Sequence, residues 1–102
     1  MSEKRLRELI DEATVDCHDD DEQREGLFVS IEENLAVPFE TTVLGVAVTV
    51  TGVATNSSNE IVAECSAGKL RQRIAVTDLP LPSPPPEGYE WILAYERWAS
   101  RR

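Results

Sequence analysis

Residues 16–26, DCHDDDEQREG, set Asp16, Asp19, Asp20, Asp21, Glu22 and Glu25 within eleven positions against one base, Arg24. Carboxylates are hard oxygen donors. Without thiol or imidazole partners in a ligating pattern they suit Ca²⁺, which takes about 6–8 oxygens at about 2.3–2.6 Å and tolerates irregular geometry; Mg²⁺ prefers fewer protein ligands and keeps its waters. The same acids have a purely structural use. In the first turn of a helix they meet the positive end of the macrodipole, worth about 0.3–1 kcal/mol each, and one of them can cap it. One or two acids satisfy that use. Six repel one another, so the surplus lowers stability unless a cation sits among them. Composition alone leaves a metal-binding corner and a solvated acidic face as alternatives.

One register within this stretch has part of an EF-hand pattern: Asp21 at loop position 1, Gly26 at 6 and Glu32 at 12. Gln23 and Glu25 replace the usual Asp or Asn at positions 3 and 5, and Leu27, Phe28 and Ile31 mark helix where that loop is open. The sequence favours instead a helix-loop-helix corner around Asp16 to Glu22, with Glu25 or another acid reaching in. The single His18 and the two cysteines, Cys17 and Cys65, lack the spacing of a zinc site. Cys17 and His18 are neighbours in sequence, about 100° apart on a helix, and make no catalytic pair.

The corner must be held by the elements on either side. Leu6, Leu9, Ile10, Ala13 and Cys17 recur at three- and four-residue steps, which predicts a first amphipathic helix over about 3–15. Leu27, Phe28, Ile31 and Leu35 carry the same period, and Asp20 followed by Gln23 has capping-box spacing with Asp20 as N-cap. A second helix over about 21–34 follows. Beyond Phe39 the period turns to alternation in TTVLGVAVTVTGVAT, one or two strands broken near Gly45. After the polar turn TNSSN, the segments EIVAEC and LRQRIAV read as a hairpin joined by SAGK, with Gly68 available for a positive φ. Strands over about 40–76 thus make a small curled antiparallel sheet, which an SH3-like barrel would close. Pro82 and Pro84 to Pro86 lie in a Pro-rich linker over about 80–86, fit for an SH3 or WW domain but better read as a spacer. Trp91, Ile92, Tyr95, Trp98 and Ala99 predict a terminal helix over about 87–99, docked on the sheet or on the N-terminal helices, its aromatics in the core. The fold class is α+β.

Bulk properties set the frame. A chain of 102 residues with 41% apolar and 28% charged residues is sized and composed for one globular domain. The net charge of −9 is local: residues 8–33 hold eleven acids and one base, and the rest of the chain eight acids and nine bases. Such a surface repels nucleic acid and anionic membranes and attracts cations, whether metal ions or basic protein patches. No apolar run approaches the about 20 residues of a membrane helix, and no signal-peptide core follows the charged start, so a cytoplasmic protein with free thiols is expected. No nucleophile elbow or phosphate loop surrounds the Ser and Thr residues, so the sequence gives no reason to expect an enzyme.

RELIDEATVDC, HDDDEQREG, LFVSIEENL, VPF, TVLGVAVTVTGV, RIAVTDL and EWILAYERW, in that order from about Arg7 to Trp98, resemble the CcbP-type calcium-binding protein family of cyanobacteria and other bacteria. The acidic corner followed by IEENL and PF is the more specific part, while the later strands are generic. The resemblance implies helices packed against a sheet and Ca²⁺ bound by surface carboxylates without EF-hands, in a buffer or sensor of intracellular calcium. It carries over to Asp16, Asp19, Asp20, Asp21 and Glu22, with Glu25, Glu32 and Glu33 as weaker ligands. This chain departs from the family in TNSSN, a central loop without the acids family members often carry there, and in His18, which adds nothing to a Ca²⁺ site. The alternative expectation is a metal-free acidic module that docks a basic protein partner.

Overall fold

The computed structural model describes residues 1–101, which fall into two compact units. Three helices form the first and four strands with the Pro-rich segment the second, in the order α1 (Glu3–Ala13), α2 (Asp20–Asn34), β1 (Phe39–Val43), β2 (Val46–Thr55), β3 (Ile61–Ala67), β4 (Leu70–Ala75) and α3 (Tyr89–Ser100), with one 3₁₀ turn at Val76–Asp78. The α+β class follows directly.

In the helical unit, α1 starts where the Ser2 side chain accepts from the Arg5 N–H at 3.2 Å, an N-cap that satisfies one of the four unpaired donors of the first turn. It ends at Ala13, short of the expected Val15. The Thr14 hydroxyl donates to the Ile10 carbonyl at 2.7 Å, and Asp16 takes φ 62° in a turn closed by Cys17 N–H to Thr14 C=O at 3.0 Å. Aspartate is one of the few side-chain-bearing residues that tolerate positive φ. The cap of α2 also moves by one residue: Asp19, not Asp20, is the N-cap, its Oδ1 accepting from Glu22 N–H at 2.8 Å. Leu9, Leu27, Ile31, Leu35, Trp91, Ile92, Ala94, Tyr95 and Trp98 are buried and Leu6, Ile10, Ala13, Cys17 and Phe28 half-buried, so the aromatic face is core as expected and the stripes are core only in part. Of the two dockings left open for α3, the one on α1 and α2 is present.

Two glycines permit this packing. A Cβ on Gly26 would strike the Ala13 carbonyl of α1, and one on Gly88, at φ 87° before α3, would strike the Asn34 carbonyl at the end of α2. Gly26 is therefore in the chain for helix approach and not for a calcium loop. The whole EF-hand register lies inside α2.

In the sheet unit, the strands form one antiparallel meander in the order β1-β2-β3-β4. The sheet is open, which corrects the SH3-like closure considered from sequence. Leu44 and Gly45, both at positive φ, turn β1 into β2 in the manner of a type I′ hairpin, and Gly68 at φ 61° turns β3 into β4. A bulge between Val50 and Gly52 shifts the β2–β3 register. The TNSSN turn is closed by Asn56, whose Oδ1 accepts from the N–H groups of Ser58 and Glu60, each at 2.9 Å. The Pro-rich segment is tied down by the Thr41 hydroxyl, which donates to the Pro80 carbonyl at 2.6 Å. Cys17 and Cys65 are free thiols, and burial pushes the Cys65 thiol pKa up.

Candidate functional site

The sequence-predicted acids divide by what they already do. Asp19 is spent in part on the α2 cap. Asp21 Oδ1 pairs with Arg24 Nη1 at 3.0 Å, and Asp20 Oδ1 with Arg101 Nη2 at 3.3 Å. Asp16, exposed in its left-handed turn, and Glu22 and Glu25, exposed on α2, have no basic side chain within ion-pair distance among the described residues. Glu32 and Glu33 stand apart: seven residues of helix, about 10 Å, separate Glu25 from Glu32. They also sit in the last turn of α2, where no base offsets the negative end of the helix.

The corner shapes a shallow groove of about 600 Å³ lined by Glu12 and Ala13 from the end of α1, by Asp21, Glu22, Glu25 and Gly26 from α2, and by Val15 and Cys17 from the loop between them. Gly26 sets the groove's geometry by letting α2 approach the last turn of α1. The acid that reaches in from outside the expected set is Glu12. A corner between two helices brings the last turn of the first beside the first turns of the second, and that is the signal that could have found it.

Among the described residues, no three His, Cys, Asp or Glu side chains converge tightly enough to hold a metal ion. The fit therefore rests on the donor set. Four carboxylates on one groove, three of them on glutamates long enough to swing, match the oxygen chemistry of Ca²⁺, and no thiolate–imidazole set competes for a softer metal. A second groove, about 640 Å³ in the sheet unit, is lined by Thr51, Glu64, Arg71 and Arg73 and has no acid cluster.

Trp98 stands behind the corner. Its indole N–H donates to Gln23 Oε1 at 2.8 Å, and the guanidinium carbons of Arg24 and Arg101 lie over its ring at 5.3 and 4.8 Å from the centroid. Sequence placed Trp98 in the core, where it is, but gave no sign that its polar edge and ring face hold the partners of the corner acids.

The architecture is that of an α+β protein with an acid-lined corner between its first two helices. Its fold is CcbP-like. It is similar to the crystal structure of Anabaena CcbP, with a TM-score of 0.76 at 17% identity over 98% of this chain and 93% of that one. It is also similar to a structure described as a calcium binding protein in the calcium-binding form, with a TM-score of 0.78 at 18% identity over 99% and 97%. The sequence matches no protein-family model and no curated protein.

Proposed function

We propose that this chain is a non-EF-hand calcium-binding protein that takes Ca²⁺ on the carboxylates of the α1–α2 corner. The observation that supports the reading is the groove that Glu12 of α1 lines together with Asp21, Glu22 and Glu25 of α2. Two proteins of similar fold, one of them named for calcium binding, support it. Glu12, Glu22 and Glu25 would supply the mobile ligands and Asp21 its oxygens, while Asp16, Asp19 and Asp20 add negative potential nearby. Glu32 and Glu33 contribute only at long range. Bound Ca²⁺ supplies the positive charge that the surplus carboxylates lack. An exposed site that must order its own ligands binds in the micromolar range or more weakly, which suits a buffer or sensor.

Melting the metal-stripped protein with and without Ca²⁺, in excess Mg²⁺, tests this. A hundredfold excess of Ca²⁺ over Kd should stabilise the fold by about 2.7 kcal/mol. An unchanged Tm at millimolar Ca²⁺ would discard the reading.

A second reading, an acidic face for a basic protein partner, is favoured by one observation: Asp20 and Asp21 already hold guanidinium groups. Binding of that kind would weaken steeply with salt and ignore Ca²⁺.

A further inference from the structure

We propose that Arg24 and Arg101 set the cation affinity of the corner, Arg24 by occupying Asp21 in competition with the incoming ion and Arg101 by neutralising the neighbouring Asp20, both of them against the Trp98 ring. The inference rests on the reading of the corner as a Ca²⁺ site and adds what regulates it.

The Arg24 side chain is only 18% exposed, whereas its partner Asp21 is 79% exposed. A guanidinium so enclosed is not a freely swinging surface charge. It lies over the Trp98 ring and offers Nη1 to Asp21 at 3.0 Å. Arg101 follows Trp98 by three residues at the end of α3, so the two meet on one helical face. Its Nη2 reaches both Asp20 Oδ1 at 3.3 Å and Gln23 Oε1 at 3.1 Å, and Gln23 also accepts from the Trp98 indole. Cation–π contact with one ring, and for Arg101 the amide it shares with Trp98, thus hold two positive charges beside the first turn of α2.

This arrangement answers the electrostatic problem of the ion-free chain. The crowded acids are partly neutralised from within, so the corner folds without metal. The same two charges oppose a dication: Arg24 must be pushed away from Asp21, and Arg101 cancels the negative potential that Asp20 would otherwise add. Near a surface this amounts to about a three- to tenfold loss of affinity for each guanidinium. Arg24 and Arg101 are positioning residues here, acting on the ion through Asp21 and Asp20.

Equilibrium dialysis of the full chain against ⁴⁵Ca²⁺ tests the proposal on the wild type, Arg24→Gln, Arg101→Gln and the two lysine variants Arg24→Lys and Arg101→Lys. Each glutamine variant should bind Ca²⁺ about three- to tenfold more tightly, and each lysine variant, which keeps the charge, should stay near the wild type. Arg101, at 44% exposure, can be replaced with little cost in packing and keeps the test valid should Arg24→Gln fold poorly. Calcium bound by the wild type with no tightening in the glutamine variants overturns this inference alone. Tightening in the lysine variants as great as in the glutamine ones overturns the competition of charges. No calcium retained by the wild type overturns the reading of the site, and this inference with it.

Discussion

The α1–α2 corner and the β2–β3 turn are both short polar connections, yet they treat their polar groups in opposite ways. In the β2–β3 turn, Asn56 takes two backbone N–H groups on Oδ1 and gives its own Nδ2 to Glu60 at 3.2 Å, so the segment is closed on itself. In the corner, one carboxylate caps a helix and two are shared with arginines, while Asp16, Glu22 and Glu25 point to solvent without a basic partner among the described residues. The first is a connection that needs nothing further. The second carries charge beyond what its local structure uses, and an excess of one sign in a small volume is a standing affinity for the other. The wider contrast has the same sense: the helical unit holds fourteen acids against seven bases, the sheet unit five against three.

The contrast is broken most severely by forcing the two helices of the corner apart. Gly26→Ala places a methyl group against the Ala13 carbonyl and should cost about 2–3 kcal/mol, a fall in Tm of about 10–20 °C by differential scanning calorimetry. Gly45→Ala, at φ 79° in a hairpin turn with open space around it, should cost about 1 kcal/mol. Next in size is reversal of the groove's unpaired charge. Glu22→Lys with Glu25→Lys should weaken Ca²⁺ binding at least about a hundredfold, about 2.7 kcal/mol, whereas Glu60→Gln in the β2–β3 turn should leave the dialysis Kd unchanged.

A smaller effect separates structural from surplus acids. Asp19→Ala removes the cap of α2 and should cost about 1 kcal/mol in urea unfolding, whereas Asp16→Asn, which keeps a residue tolerant of the left-handed turn, should cost almost nothing. The smallest effect lies outside the corner. Burial pushes the Glu96 pKa up. The folded state therefore holds its proton more strongly than the unfolded one, and stability falls as pH rises from the ordinary glutamate range through the raised value. Glu96→Gln should raise Tm slightly at pH 7, and the difference should vanish below the ordinary glutamate range, where the carboxyl is protonated in the folded and unfolded states alike.

Much of the scaffold was legible because single physical signals controlled it. The periods of Leu27, Ile31, Leu35 and of Trp91, Tyr95, Trp98 marked which helix faces are buried, though not what α3 docks on, and Gly45 and Gly68 marked turns that take positive φ. The cap was misplaced by one residue because Asp19 with Glu22 and Asp20 with Gln23 satisfy the same spacing. What decides between them is the turn at Asp16, which depends on where α1 stops. Glu12 went unassigned for the same reason, since its place on the groove depends on how closely Gly26 lets two helices approach. Arg101 lies 81 residues from Asp20, a pairing that no local pattern announces. The sheet's openness is a matter of whether β1 meets β4, and strand periodicity is silent on that.

Isothermal titration calorimetry of the metal-stripped chain against CaCl₂, in buffer containing millimolar Mg²⁺, bears most directly on the corner as a calcium site. Saturable heat with a Kd in the micromolar range or weaker, abolished by Glu22→Lys with Glu25→Lys, is the expected result. Heat no different from dilution up to millimolar Ca²⁺ would contradict it and leave the corner as an anionic surface neutralised by its own arginines.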